Sequence, residues 1–356
     1  MVRLINCGLI YLSEECRRKK MYCFGAGKQF RIFLEENSDI RIDGIIDNYV
    51  FGQKINVHEK IMEIISLETF VDVFRNDAVV LITCSAYVDI IAQMDQIQKL
   101  DGMICFLDLF LREYTEHFRR FPVLGRTEYR IPKKIHYCWF GGGEMPSEYK
   151  RYIETWRKHC PDYEIICWDE SNYDISKNKF MREAYEHKKW AFVSDYARVD
   201  VIHKYGGIYL DTDVELLKPL DGFLGWDMFC GFESLTHVAW GLGFGAVKGF
   251  KVLKTVLDRY ESMTFVKEDG TLNMISCPII QSEVMEQHGF LMNGMPQEAD
   301  NIAIYPKEFF SPYSFMKEFG RITDNTHSIH HYSASWMDGK PVKSIWTELL
   351  KRANEK

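Results

Sequence analysis

The chain has 356 residues, 46% hydrophobic and 27% charged, a length for two domains and the make-up of a globular protein. Its net charge is −7 and its longest basic run is Arg17-Arg18-Lys19-Lys20, which argues against a nucleic-acid-binding protein. No apolar run reaches the length of a membrane span, and ten cysteines without a C-x-x-C pair read as reduced thiols, so a cytoplasmic protein is expected, with at most peripheral contact at the inner membrane face.

From Met21 to about Asp108 strands and helices alternate. Met21–Phe24 reads as a strand ending in Gly25-Ala26-Gly27, followed by a helix over 28–36 and a second strand over 40–46 that ends at Asp47-Asn48. A helix is predicted over 61–70, a buried strand over 78–82, a helix over 88–100 and a closing strand over 104–107. This is the pattern of a small doubly wound, Rossmann-like parallel sheet. A dinucleotide fingerprint would need glycine at position 30, where this chain has Phe30, although Asp47 stands where the ribose-binding acid would be. A structural, docking or regulatory role is therefore favoured for residues 1–124, with 125–130 as a linker and 131–356 as the catalytic domain.

The second domain opens on the strand Ile135–Phe140, and Gly141-Gly142-Gly143 form a loop at its end, where open α/β sheets hold ligands. A helix over 147–159, a strand over 163–168 and a helix over 180–188 follow. The most informative run is Phe192 to Asp213. Phe192, Tyr196, Val199, Ile202 and Tyr205 give one helical stripe, with Ser194 as its expected N-cap and Gly206-Gly207 as its stop. Asp195 and Arg198 lie one turn apart on that helix. The short strand Ile208-Tyr209-Leu210 then delivers Asp211 and Asp213, which extended chain would turn to the same face. Two carboxylates that close resist joint ionisation unless a hard cation such as magnesium or manganese lies between them, and such ions take carboxylates together with substrate phosphates.

This run resembles the core of the DXD-containing, mannosyltransferase-like glycosyltransferases of family 32, related to the glucosylating domains of the large clostridial toxins. The carriers are Ser194-Asp195, Arg198, Tyr205-Gly206-Gly207, Tyr209, Asp211 and Asp213, with Ile131-Pro132-Lys133 to Trp139-Phe140-Gly141 similar to the family's first strand. The resemblance covers roughly Ile131 to Trp336. It implies a GT-A type nucleotide-diphospho-sugar transferase fold and transfer of a sugar from a nucleotide sugar, with retention, to a saccharide acceptor that could be lipid-linked. Surface or capsular polysaccharide assembly is the expected setting, with a UDP-sugar favoured over GDP-mannose.

By the same resemblance Asp213 binds Mn2+ or Mg2+ directly, and Asp211 reaches ribose, sugar or the metal through water. Asp195 and Arg198 hold the donor sugar, Tyr209 packs beside the nucleotide, and Trp139 is the nucleobase platform. His331 is the expected extra metal ligand, with His330 as its alternate, and Trp336 contacts the diphosphate. His136 reads as a core histidine. Where many family members open the next helix with Gly-Pro, this chain has Cys277-Pro278. No residue stands out as a covalent nucleophile. One rival is a phosphatase of the haloacid dehalogenase type, whose Asp-x-Asp pattern continues with Thr or Val where this chain has Glu215. A second rival is a non-catalytic sugar-nucleotide-binding protein.

Overall fold

The structure, a computed structural model, describes residues 1–5, 9–75, 77–84, 86–108, 111, 121–126, 128–234, 236–313, 322–333 and 352. Two compact units emerge, Met1–Phe118 with Val342–Lys356, and Arg119–Pro341. This division differs from a linker at 125–130 and a second domain running to the C-terminus. Gly125, Arg130 and Ile131 are hydrogen-bonded into the second unit, Gly125 N–H to the Gly222 carbonyl and Arg130 and Ile131 N–H to the Leu224 carbonyl. Arg352 is anchored in the first unit by Asp95, at 2.6 Å.

In the first unit the strands are β1 (Arg3–Ile5), β2 (Lys20–Phe24), β3 (Gly44–Ile46), β4 (Lys54–Val57), β5 (Lys60–Ile65), β6 (Ala78–Ile82) and β7 (Ile104–Leu107). They form one sheet in the order β1-β7-β6-β2-β3-β5-β4, parallel except for the edge hairpin β4–β5. Strand β6 is buried throughout, as befits a strand covered on both faces by the helices α1 (Leu9–Arg18), α2 (Lys28–Glu36), α3 (Leu67–Val73) and α4 (Tyr87–Asp95) of an α/β layer. The helix predicted over 61–70 is half wrong. Lys60–Ile65 pairs with Lys54–Val57 through a turn at His58 and Glu59, both with positive φ, and the helix starts only after Ser66, whose side chain accepts the Thr69 N–H.

The second unit holds β8 (Lys134–Cys138), α5 (Ser147–His159), β9 (Glu164–Trp168), α6 (Lys179–Glu186), α7 (Trp190–Tyr205), β10 (Gly207–Tyr209), β11 (Val214–Leu216), β12 (Met228–Gly231), β13 (Phe244–Ala246), α8 (Lys251–Glu261), α9 (Cys277–Gln287), β14 (Gln297–Ala299), β15 (Ile302–Tyr305) and β16 (Ser328–His330). The main sheet runs β14-β15-β12-β13-β10-β8-β9, and β11 pairs with β16 in a separate two-stranded sheet. Strands β8, β9 and β10 are mutually parallel, and β12 is parallel to β15. Strand β13 lies antiparallel to both β10 and β12. All five parallel strands therefore end at one edge. Two cores flank the sheet: Tyr209 turns into the one built on α7 and α8, and its neighbour Ile208 into the one around Trp156, Trp226 and Phe310. Successive strand residues on opposite faces produce this split. The chain is thus α/β, with a parallel-sheet module ahead of a second α/β sheet, as the sequence leads one to expect.

Candidate functional site

Helix α7 is buried on nearly every side, with Val193, Ala197, Val201 and Ile202 inaccessible to solvent. Two charged residues are buried with them, Asp195 and Arg198. The helix starts at Trp190, so Ser194 is not an N-cap; it lies inside the helix and its Oγ donates back to the Trp190 carbonyl. Gly206 and Gly207 both take positive φ, and a Cβ on Gly207 would lie 2.9 Å from both the His136 ring and the Lys134 carbonyl, so the sharp exit from α7 into β10 requires glycine. His136 itself is structural. Its Nε2 donates to the Gly206 carbonyl, its Nδ1 accepts from Trp168, and burial pushes its pKa down to about 4.

The strand stops at Tyr209, and the two aspartates meet through a turn rather than through strand alternation: Val214 N–H closes it onto the Asp211 carbonyl. The Asp211 carboxylate accepts from Arg198 Nη2 and from the Tyr209 hydroxyl, each at 3.0 Å. Arg198 Nη2 also lies 3.2 Å from Asp195. Arg198 Nη1 reaches Cys277 Sγ at 3.4 Å, while its Nε is buried and has no partner among the described residues. Burial pushes the carboxyl groups of Asp195 and Asp211 up, with Arg198 opposing it. Asp213 goes the other way. Burial works upward there too, but His330 and the Ser333 N–H outweigh it and hold Asp213 well below the usual carboxylate range.

The histidine brought to the pair is His330, 3.1 Å from Asp213, and not His331. In the β11–β16 ladder His330 stands opposite Val214, and the next residue turns to the other face. His331 there pairs with Glu215 at 2.9 Å and stacks on Tyr152. Oxygens of Asp211 and Asp213 and a nitrogen of His330 lie within 4.8 Å of one another. Two carboxylates at that spacing suit manganese or magnesium by donor type, and the added imidazole favours manganese, since magnesium takes oxygen ligands.

Trp139 is half-buried at the end of β8, with its Nε1 on the Gly143 carbonyl and its ring edge-on to Tyr149. Tyr149 hydrogen-bonds Ser333, whose N–H holds Asp213, so an unbroken line of contacts joins Trp139 to the carboxylates. Trp336 lies outside the described residues. Gly241 and Glu233 escaped sequence reasoning, and Cys277 was singled out there only as a departure from the family's Gly-Pro pair. Gly241 lies against Asp211 and Arg198, Cys277 touches Arg198, and Glu233 stands near Asp211, Arg198 and His330 with its carboxyl raised by burial. The glycine-rich Ala239–Ala246 stretch was the one visible signal for the first.

Residues 146–229 match the protein family described as "Glycosyltransferase sugar-binding region containing DXD motif". The chain is 31% identical over 150 residues to an uncharacterized glycosyltransferase of Acanthamoeba polyphaga mimivirus, covering 40% of this chain and 59% of that protein. It is 32% identical over 139 residues to inositol phosphoceramide mannosyltransferase 3 of Schizosaccharomyces pombe, covering 38% of each. It therefore spans less than two thirds of these relatives. Among solved structures, the PaToxG glycosyltransferase aligns with a TM-score of 0.38 at 19% identity, over 44% of this chain and 69% of that one. No described helix is long and apolar enough to cross a membrane.

Proposed function

We propose that the chain is a GT-A type glycosyltransferase moving a sugar from a nucleotide sugar to a saccharide acceptor. The observation that carries this is the Asp211, Asp213 and His330 cluster beside a buried arginine with a spare donor, inside the stretch that matches the DXD family. Held by those three side chains, a divalent cation would act as a Lewis acid for the charge that develops on the departing diphosphate. Asp195 and Arg198 orient the donor sugar. Arg198 Nε is buried without a partner among the described residues and is free for a hydroxyl or a phosphate oxygen, while Nη2 is engaged by Asp195 and Asp211 and Nη1 by Cys277. Tyr209 holds Asp211, and Trp139 with Tyr149 forms the wall for the base.

The finer reading is retention of configuration, Mn2+ as the ion, a UDP-sugar donor, and work at the cytoplasmic face of the membrane in surface or capsular polysaccharide assembly, with Trp336 on the diphosphate. The fission-yeast relative is by name a mannosyltransferase, which keeps GDP-mannose among the donors to test. The phosphatase reading is disfavoured because Asp211, its would-be nucleophile, is tied to Arg198 and Tyr209.

The test is a thermal-shift panel of UDP- and GDP-sugars with manganese, followed by mass spectrometry of the products. One nucleotide sugar should stabilise the protein only with the ion present and be turned over. Asp213→Asn should lower that turnover by at least about a hundredfold. Ion-dependent binding without turnover of any donor, on any acceptor or water, would instead favour the non-catalytic reading.

A further inference from the structure

Among the described residues other than glycine with positive φ, His58 with Glu59 and Asp300 with Asn301 turn hairpins, and Lys188 follows the end of α6. The remaining one, Tyr332 at +49°, belongs to neither kind of turn. A bulky aromatic residue in the left-handed region is an outlier. Such strain persists where the surroundings over-determine it, and it gathers at functional sites.

The backbone around Tyr332 shows what the reversal achieves. β16 ends at His330, and the next residue donates its N–H to the Asp213 carbonyl at 2.9 Å. Past the reversal, Ser333 N–H donates to Asp213 Oδ2 at 2.8 Å. His330 Nε2 lies 3.1 Å from the other oxygen, Oδ1. The N–H groups on either side of Tyr332 therefore both face Asp213, and backbone donors so gathered suit an anionic group.

The turn is anchored from behind. The Tyr332 hydroxyl lies 2.8 Å from Ser311 Oγ, and Ser311 is completely buried. The Tyr332 ring packs on His330, with centroids 4.3 Å apart. The two residues before Ser311 hold the strand that leads in. His327 N–H donates to the Phe309 carbonyl at 2.8 Å, and Ser328 Oγ donates to the Phe310 carbonyl at 3.0 Å. Three consecutive residues, 309–311, thus fix β16 and the turn after it.

We propose that Tyr332 is a positioning residue, and that its bond to Ser311 holds Asp213 and His330 in the arrangement that takes the divalent cation. This rests on the reading of Asp211, Asp213 and His330 as the cation site. Tyr332 acts through its neighbours. With Ser333 N–H on one oxygen, the Asp213 side chain keeps a single orientation, and its other oxygen stays beside His330. Groups that orient metal ligands in this way govern affinity for the ion.

The experiment uses the full chain. Manganese binding is followed by the electron paramagnetic resonance of the free ion, alone and with UDP or GDP, and amide hydrogen exchange is followed in the metal-free protein. Tyr332→Phe removes only the hydroxyl, and Ser311→Ala removes its partner. Each should weaken manganese binding about tenfold and speed exchange across residues 328–333, at temperatures well below unfolding. The double variant should bind about as weakly as the weaker single one, because both changes break the same bond. A merely structural role would lower the unfolding temperature and leave ion affinity and exchange where they are. The proposal is overturned by affinity within about twofold of the unmodified protein in Tyr332→Phe, by unchanged exchange, or by losses that multiply in the double variant. An unmodified protein that binds no manganese, alone or with either nucleotide, would sink the cation-site reading itself, and this proposal with it.

Discussion

Gly241 shows how closely the site is packed around one carboxylate. Its carbonyl accepts the Asp211 N–H at 2.9 Å, and a Cβ placed on it would come within 2.1 Å of Asp211 Oδ2 and 3.0 Å of Arg198 Nη1. Gly241→Ala must therefore push Asp211 off the position in which it meets Asp213. Manganese affinity should fall about 10–100-fold by calorimetry while thermal unfolding changes little, as for the loss of a group that orients metal ligands. His330 supplies a second expectation, with a sign. Burial works against its proton, but the nearby Asp213 carboxylate outweighs that and lifts its pKa from 6.5 to about 8. A raised histidine pKa stabilises the fold fully below about 6.5, and the gain is lost as pH rises through about 8. The metal-free protein should thus lose about 2 kcal/mol between pH 6.5 and 8.5, and His330→Gln should flatten that profile. Saturating manganese should reverse the slope, since the ion needs the neutral imidazole.

At the scale of elements, the β11–β16 ladder decides which histidine serves the site. Its register sets His330 against Val214, on the Asp213 side, and sends His331 to Glu215 and Tyr152. His330→Ala should weaken manganese binding by at least about tenfold, whereas His331→Ala should leave it within about twofold, and calorimetry on the two variants separates them. The same ladder explains what could be read in the sequence. The helix, the glycine pair and the two aspartates form one continuous run, so spacing picked out the residues, while the roles expected of them came from the family resemblance. His330 reaches Asp213 across 117 positions, and which of two adjacent histidines points inward depends on a pairing that no local pattern announces. The contacts of Gly241, Cys277 and Glu233 were hidden for the same reason, since each meets residues far away in the chain. The misread stretch 61–70 has a local cause. Its hairpin turns on His58 and Glu59 in left-handed conformations without the glycine or asparagine that signals such a turn. Ser194 misled because a good capping residue says nothing of whether the helix has already begun, and here Trp190 starts it one turn earlier.

Across the whole molecule, a net charge of −7 gives a nucleoside diphosphate no general attraction, so the proposed donor site would have to rely on Arg198 and a local cation. Among the described residues, the loop of the Rossmann-like unit is not arranged as a dinucleotide site of the usual kind. Phe30 fills the position of the third glycine and is completely buried. Asp47, in the place of a ribose-binding acid, already accepts the N–H groups of Ala26, Tyr49 and Val50, so its carboxylate closes the 25–27 loop rather than facing a ligand. The Thr83 hydroxyl ties the Gly25 carbonyl down from the neighbouring strand end. A pyrophosphate would have to displace these bonds, and no third glycine gives it the close approach that the dinucleotide fold relies on. Calorimetry on the full chain should accordingly find one UDP or GDP per chain in the presence of manganese, at least about tenfold weaker binding with EDTA, and no saturable binding of NAD. A second nucleotide equivalent that survives EDTA would place a working site in the first unit and overturn the structural reading of Asp47.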